Sequence, residues 1–323
     1  MLYIMQTWIF LLLCNLLWAG NFISGKIAAG EFPPFWISLL RWSIAVVILL
    51  PLAFWAKKIN LKSIDRKTWL NLAGMGIFGI DLFTLFTYSA LQYSSPVNVS
   101  LISTLTPAFA MLFTALVLKV RTFPRQYLGL LLAVIGVLTI ISQGNLTRVL
   151  SIQFNKGDLL MLLADMSWVL YTVTGKNVTT LPPLMTTALS SLLGVLFLLP
   201  FAPFIPLPTE AITSAGISSI IYISLGASVC AFILWNFALQ RVTITAASIS
   251  MNLIPLYTVL ISLCLGQSFQ MSQLVGGILV LGGICCISLP QKKSMPIPTT
   301  IETACKRITI TSVKNSIQTD NTL

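Results

Sequence analysis

Asn15-Leu16-Leu17-Trp18, running on to Gly25-Lys26, returns 150 residues later as Asp165-Met166-Ser167-Trp168, running on to Gly175-Lys176. Further matches follow in the same order: Pro33 with Pro183, Pro51 with Pro200, Ala90-Leu91-Gln92 with Ala238-Leu239-Gln240, and Pro107 with Pro255. Gly129 and Gly136 then meet Gly276 and Gly283. An ordered series whose offset drifts only from 150 to 147 is the mark of an internal duplication over nearly the whole chain.

Of the 323 residues 56% are hydrophobic and only 8% charged, against roughly 25% charged in an ordinary soluble domain. Segments of about 20 apolar residues suffice to cross a hydrocarbon core about 30 Å thick, and here they follow one another almost without pause. The composition therefore predicts an all-α polytopic membrane protein embedded in a lipid bilayer. The net charge of +11 comes from basic residues dispersed between apolar segments, which argues for membrane topology and against nucleic acid. There is no histidine, which removes imidazole as base, proton relay or metal ligand. Five of the six cysteines lie inside apolar segments, so no disulfide framework is expected. No metal and no cofactor is implied.

Ten transmembrane spans are expected, at about 7–28, 34–55, 69–91, 96–118, 125–143, 157–176, 184–202, 214–238, 243–265 and 271–289. They divide into a first repeat at 5–143 and a second at 157–289, with a disordered cytoplasmic tail at 290–323. Five crossings per copy is an odd number, so the second copy enters from the opposite face: the two five-helix repeats must be inverted. With a cytoplasmic N-terminus, fifteen of the nineteen Lys and Arg fall on the cytoplasmic side, three on the outer side, and Arg41 within a span. That asymmetry predicts both termini in the cytoplasm of a cell, or inner, membrane.

Ionisable groups inside a span cost on the order of 2.5–3.5 kcal/mol at a helix centre by insertion scales, and so need a reason. Arg41, Asp81 and Asp165 are the clear cases. Helical spacing puts Asp81, Thr84, Leu85, Tyr88 and Gln92 on one face, Asn15, Trp18, Phe22 and Gly25 on another, and Asp165, Trp168, Thr172 and Gly175 on a third. These faces, with Asn98, Asn236 and Asn252, are the candidate walls of a central cavity in which aromatics receive the apolar part of a substrate and Arg41 an anionic part. Asp81 and Asp165 are the candidates for proton coupling. The competing assignment makes the same Asn, Ser, Thr and Trp interhelical glue, and lets Arg41 neutralise one aspartate. Pro107 and Pro255 each remove a backbone hydrogen bond within a span and are candidate gating kinks, or static ones. The glycines of spans three, five and ten (Gly74, Gly76, Gly79, Gly129, Gly136, Gly276, Gly277, Gly282 and Gly283) are candidate packing seams, with a homodimer as a further option.

Taken together, Trp18-Ala19-Gly20-Asn21-Phe22 with Lys26, Pro33, Arg41-Trp42, Tyr88-Ser89-Ala90-Leu91-Gln92, Ser100-Leu101-Ile102 and Pro107 resemble the drug/metabolite transporter superfamily, EamA type. Phe237-Ala238-Leu239-Gln240, Ala246-Ala247-Ser248 and Leu253-Ile254-Pro255 extend the resemblance into the second half. It implies two inverted five-span repeats, cytoplasmic termini and a small organic metabolite as the partner. Lys119 and Gln267 stand where the family often has glutamate, so any role of that acid is not carried over.

The expected function is secondary transport of a small amphipathic metabolite, such as an amino-acid-like compound, by alternating access about a midplane cavity. No phosphate-binding loop of the GxxxxGK type is present. A passive metabolite channel is the alternative. A membrane enzyme would need clustered acids, bases or metal ligands, whereas the loops offer only isolated Asp65, Asp158 and Glu210.

Overall fold

The computed structural model describes residues 2–117, 123–145, 155–207, 212–239 and 250–288. The expected tail at 290–323 and Lys119 lie outside them. The described residues hold helices and no strand, and they form ten spans. The first is Leu2–Glu31 and the second Pro34–Ala56. The third runs through Arg66–Met75, a π-helical turn Gly76–Leu82, and Phe83–Tyr93. The fourth is broken into Pro96–Ser103 and Thr106–Leu116, and the fifth is Pro124–Ile141. The sixth is Lys156–Gly175, and the seventh is Pro183–Leu198 continued by a 3-10 turn to Phe204. The eighth joins Ser214–Tyr222, a second π turn Ile223–Cys230, and Ala231–Leu239; the ninth is Leu253–Cys264 and the tenth Met271–Ser288.

Seven of these helices are long and apolar enough by themselves to cross a membrane. Leu253–Cys264 and Met271–Ile287 are apolar but shorter, and the sixth span carries Lys156, Asp158 and Asp165. Local chemistry sets several boundaries. Prolines open the second, fourth, fifth and seventh spans, where the missing N–H is one that a helix start leaves unpaired anyway. Asp65 caps the third span by accepting from the Thr68 hydroxyl (2.5 Å) and N–H (3.2 Å), and those bonds hold its carboxyl below the usual range.

The duplication is visible in the fold. Both π turns fall at equivalent places in the two repeats, and so do the breaks before Thr106 and Leu253. The packing pairs exchange likewise: third span with sixth and eighth with first, third with seventh and eighth with second, fourth with sixth and ninth with first.

The sense of the second copy follows from the fifth and tenth spans. A Cβ on Gly136 would lie 2.6 Å from the Gly276 carbonyl, and one on Gly276 2.6 Å from the Gly136 carbonyl; Gly129 and Gly283 oppose each other in the same way. As one helix advances from 129 to 136 the other retreats from 283 to 276, so these equivalent helices run antiparallel and the repeats are inverted. Gly136→Val should therefore force two backbones apart, at about 1–3 kcal/mol. The expected result is a lower melting temperature in detergent, while Gly282→Val, facing open space, leaves it unchanged.

Candidate functional site

Arg41 is the centre of a buried polar cluster between the spans. It is only 5% exposed, and the hydrogen-bonded chain that runs through it joins four spans. Its Nε donates to Ser228 Oγ at 2.6 Å and its Nη1 to the Tyr88 hydroxyl at 2.6 Å. Tyr88, fully buried, donates in turn to Asn21 Oδ1 at 3.1 Å. The guanidinium carbon lies 4.9 Å from the centre of the Trp42 ring, close enough for a cation–π contact. Each hydrogen bond to a charged group contributes about 1.5–3 kcal/mol, comparable with the cost of placing the cation there.

The π turn in the eighth span explains Ser228. Its hydroxyl donates to the Ile223 carbonyl five residues back, at 3.0 Å, and this widened turn brings Ser228 Oγ against Arg41. The neighbouring Ala227 carbonyl accepts from Trp18 Nε1 at 3.1 Å. Two candidate side chains of the first repeat, Arg41 and Trp18, are thus fixed by one irregular turn of the second.

Of these groups Trp18, Asn21, Arg41 and Trp42 stand at the wall of a cavity of about 330 Å³ between the repeats. Trp18, Phe22, Phe83, Trp168, Tyr171 and Phe232 supply aromatic walls, and Asn21, Thr106, Thr187 and Asn252 polar ones. Trp18 packs edge-on to Phe232, with ring centres 5.8 Å apart, and Trp168 lies between Phe83 and Tyr171. Among the described residues the charged members of the lining, Arg41 and Lys176, are both cations. Size and lining suit one small amphipathic molecule.

The cavity extends to Lys176, exposed just past the end of the sixth span. The opposite end is closed by polar contacts. Lys26 Nζ donates to the carbonyls of Leu91 (2.7 Å) and Ser94 (3.1 Å), Gln92 Nε2 to Ala29 O (3.3 Å), and Asn155 Nδ2 to Tyr93 O (2.8 Å). Ser94 Oγ donates to Asp158 Oδ1, and the Thr213 hydroxyl to Glu31 at 2.6 Å.

Both halves of the chain, residues 6–142 and 155–289, match the EamA-like transporter family. The chain belongs to that family. Similar proteins include the uncharacterized transporter YyaM of Bacillus subtilis, 28% identical over 88% of this chain and 94% of that one. An uncharacterized transporter of Archaeoglobus fulgidus is 29% identical over 86% and 96%. A solved crystal structure aligns with a TM-score of 0.59 at 20% identity, covering 86% of this chain and 94% of its own, and that likeness is one of fold.

Within this EamA-like fold, Trp18, Phe22, Arg41, Pro107, Trp168 and Asn252 line the cavity. The other candidates stand outside the lining. Tyr88 backs Arg41. Asn15 Nδ2 donates to the Ser250 carbonyl (2.8 Å) and hydroxyl (3.0 Å) at the break before the ninth span. Asp165, its counterpart in the second repeat, accepts from Thr106 Oγ1 at 3.0 Å at the break in the fourth span, while its Oδ2 has no partner. Asp81 sits in the π turn of the third span, 6% exposed, with Oδ1 unpartnered and pointed toward Gly194 of the seventh span. Arg41 pairs with neither aspartate. Asn98 Oδ1 accepts from Gln273 of the tenth span at 2.7 Å, and Asn236 donates to Phe232 O of its own helix at 2.7 Å.

Pro107 and Pro255 each follow a break in their span. Pro107 has no N–H for the Ser103 carbonyl, and the Thr106 hydroxyl, its one proton shared with Asp165 Oδ1, lies 3.0 Å from that carbonyl. Pro255 is buried in the ninth span. Asn21, Trp42, Thr106, Lys176 and Phe232 of the cavity lining, and Ser228 behind Arg41, are members of the candidate site that the helical-face reading missed. Trp42 and Asn21 stood beside singled-out residues, and Lys176 stood in the founding repeat motif; nothing in the sequence marks a π turn at Ser228.

Proposed function

We propose that this protein is a secondary transporter for a small amphipathic organic metabolite, amino-acid-like in size, that carries a carboxylate or similar anionic group. The observation that carries this reading is Arg41, held by Ser228 and Tyr88 at the wall of an aromatic cavity between inverted repeats. A guanidinium whose orientation is fixed before the ligand arrives presents its remaining N–H groups at no ordering cost, and it matches a carboxylate in shape. The aromatic faces take the apolar body of the substrate. Alternating access is supported by the asymmetry of the ends: one is closed by polar contacts, while the cavity reaches the other at Lys176.

The fifteen-to-three distribution of Lys and Arg supports a cytoplasmic location for both termini, and the end at Lys176 is then the cytoplasmic one. Asp81 and Asp165, buried with an unpartnered oxygen each, are the groups we assign to proton coupling.

Comparing metabolites inside and outside cells with and without the protein should reveal one class of organic anion or zwitterion whose distribution changes. Vesicles containing purified protein should then take that compound up saturably and show counterflow. Flux that neither saturates nor shows counterflow would identify a passive channel instead.

A further inference from the structure

The polar wall of the cavity is sorted by hydrogen-bonding sense. A serine or threonine hydroxyl has one proton to give and two lone pairs to receive with. Among the described residues, five such hydroxyls belong to the lining, and each finds an acceptor for its proton inside the protein. Ser103 Oγ donates to Ser100 O and Thr104 Oγ1 to Leu101 O, both at 2.7 Å, and Thr106 Oγ1 has Ser103 O and Asp165 Oδ1 each at 3.0 Å. Thr172 and Thr187 likewise donate to carbonyls of their own helices, at 2.8 and 3.0 Å. What these groups offer a ligand is lone pairs alone. Arg41 has the opposite character: a guanidinium is all donor, and only two of its N–H groups are held, by Ser228 and Tyr88.

Three of the five acceptors come together at the break in the fourth span. Ser103 ends Pro96–Ser103 and Thr106 opens Thr106–Leu116. The negative end of one short helix there meets the positive end of the next, so their dipoles oppose and leave little field of their own. The acid at the break is Asp165. It is fully buried, stands outside the lining on the far side of Thr106, and keeps one carboxyl oxygen without a partner. In its ionised form it sets a negative charge behind a wall of acceptors. We propose that this break is an ammonium subsite: the side-chain oxygens of Ser103, Thr104 and Thr106 receive the N–H groups of a primary ammonium while Arg41 takes the carboxylate of the same molecule. A primary ammonium has three N–H donors and no acceptor, and its charge is opposite to that of Asp165; a hydroxyl at the same place brings a donor but no charge. The substrate is then a zwitterion and not a simple organic anion. The subsite deepens the transport reading and rests on it for the role of Arg41, but its test needs binding alone.

Calorimetric titration of the purified full chain in detergent with phenylalanine, phenyllactate and phenylpropionate varies only the group beside the carboxylate: ammonium, hydroxyl or hydrogen. Matching trios with indole and branched-alkyl bodies allow for the fit of the apolar part. In at least one trio the ammonium compound should bind about tenfold or more tighter than both others, the effect of gaining charge-assisted hydrogen bonds. Thr106→Val should weaken that compound about tenfold with a smaller change for its deamino partner, while Thr106→Ser, which keeps the oxygen, should retain the preference. Thr104→Val, which removes a hydroxyl bonded within its own span, should lower the same preference and covers the case in which Thr106→Val fails to fold. Equal binding within every trio, tighter binding of the hydroxyl compounds, no binding of any ammonium compound, or a preference that survives both valine variants would overturn the proposal. A protein that binds with this preference yet moves nothing across vesicles would reject the transport reading and leave the subsite standing. One that transports organic anions without the preference would reject the subsite alone.

Discussion

Arg41→Gln should abolish saturable transport of the anionic substrate, with an expected loss of 100-fold or more. The glutamine is uncharged and too short to keep both present contacts, so Ser228 Oγ and the Tyr88 hydroxyl lose their donor while the ligand loses its counter-charge. Breaking one side of a buried, hydrogen-bonded charge contact costs about 2–5 kcal/mol, which sets that expectation. Arg41→Lys separates the two effects. It keeps the charge but cannot present a planar fork while bonding Ser228 and Tyr88, so it should recover a fraction of the activity at a raised KM. Ser228→Ala leaves the cation in place and removes one of its tethers, and should raise KM with a smaller change in the maximal rate. Uptake by reconstituted vesicles measures all three. Equal losses for anionic and cationic test compounds would take Arg41 out of the substrate site.

The second large effect is expected at Asp165. Asp165→Asn should uncouple substrate movement from an imposed proton gradient while leaving counterflow intact. The repeat supplies its own control, because the equivalent position in the first half is Asn15, whose amide already bonds the broken backbone before the ninth span. The fold thus accommodates an amide at this place. What the substitution removes is the ability of the side chain to gain and lose a proton beside Thr106 at the break in the fourth span. Gradient-driven accumulation should fall to the level reached without a gradient, and its pH dependence should flatten. A variant that keeps the parent pH profile would show that the coupled proton is carried elsewhere, and Asp81→Asn is then the next test.

The architecture could be read from the sequence because it depends on quantities the sequence carries directly. Runs of apolar residues mark the spans, prolines mark several of their starts, and the repetition of Trp18 and Gly25-Lys26 at Trp168 and Gly175-Lys176 fixes five crossings per copy. The site was harder because its members are joined across helices. Arg41 stood out alone as an intramembrane cation, yet its partners come from the third and eighth spans. The expected face of Asp81, Thr84, Tyr88 and Gln92 assumes a regular helix, and the π turn at Gly76–Leu82 breaks that assumption at Asp81. Asp81 points toward Gly194, Thr84 bonds Ser38, Tyr88 bonds Arg41, and Gln92 reaches Ala29. Residues on one nominal face thus serve three different neighbouring spans.

The crossing of the fifth and tenth spans has a consequence for assembly. Gly129 opposes Gly283 and Gly136 opposes Gly276, so the surface that one half offers is the surface the other half offers back, as at the interface of a two-fold symmetric dimer. A covalent link between the halves is therefore expected to be dispensable for recognition. Five-span fragments produced as separate chains, each inserted in its own orientation, should find one another in the bilayer and rebuild the whole transporter.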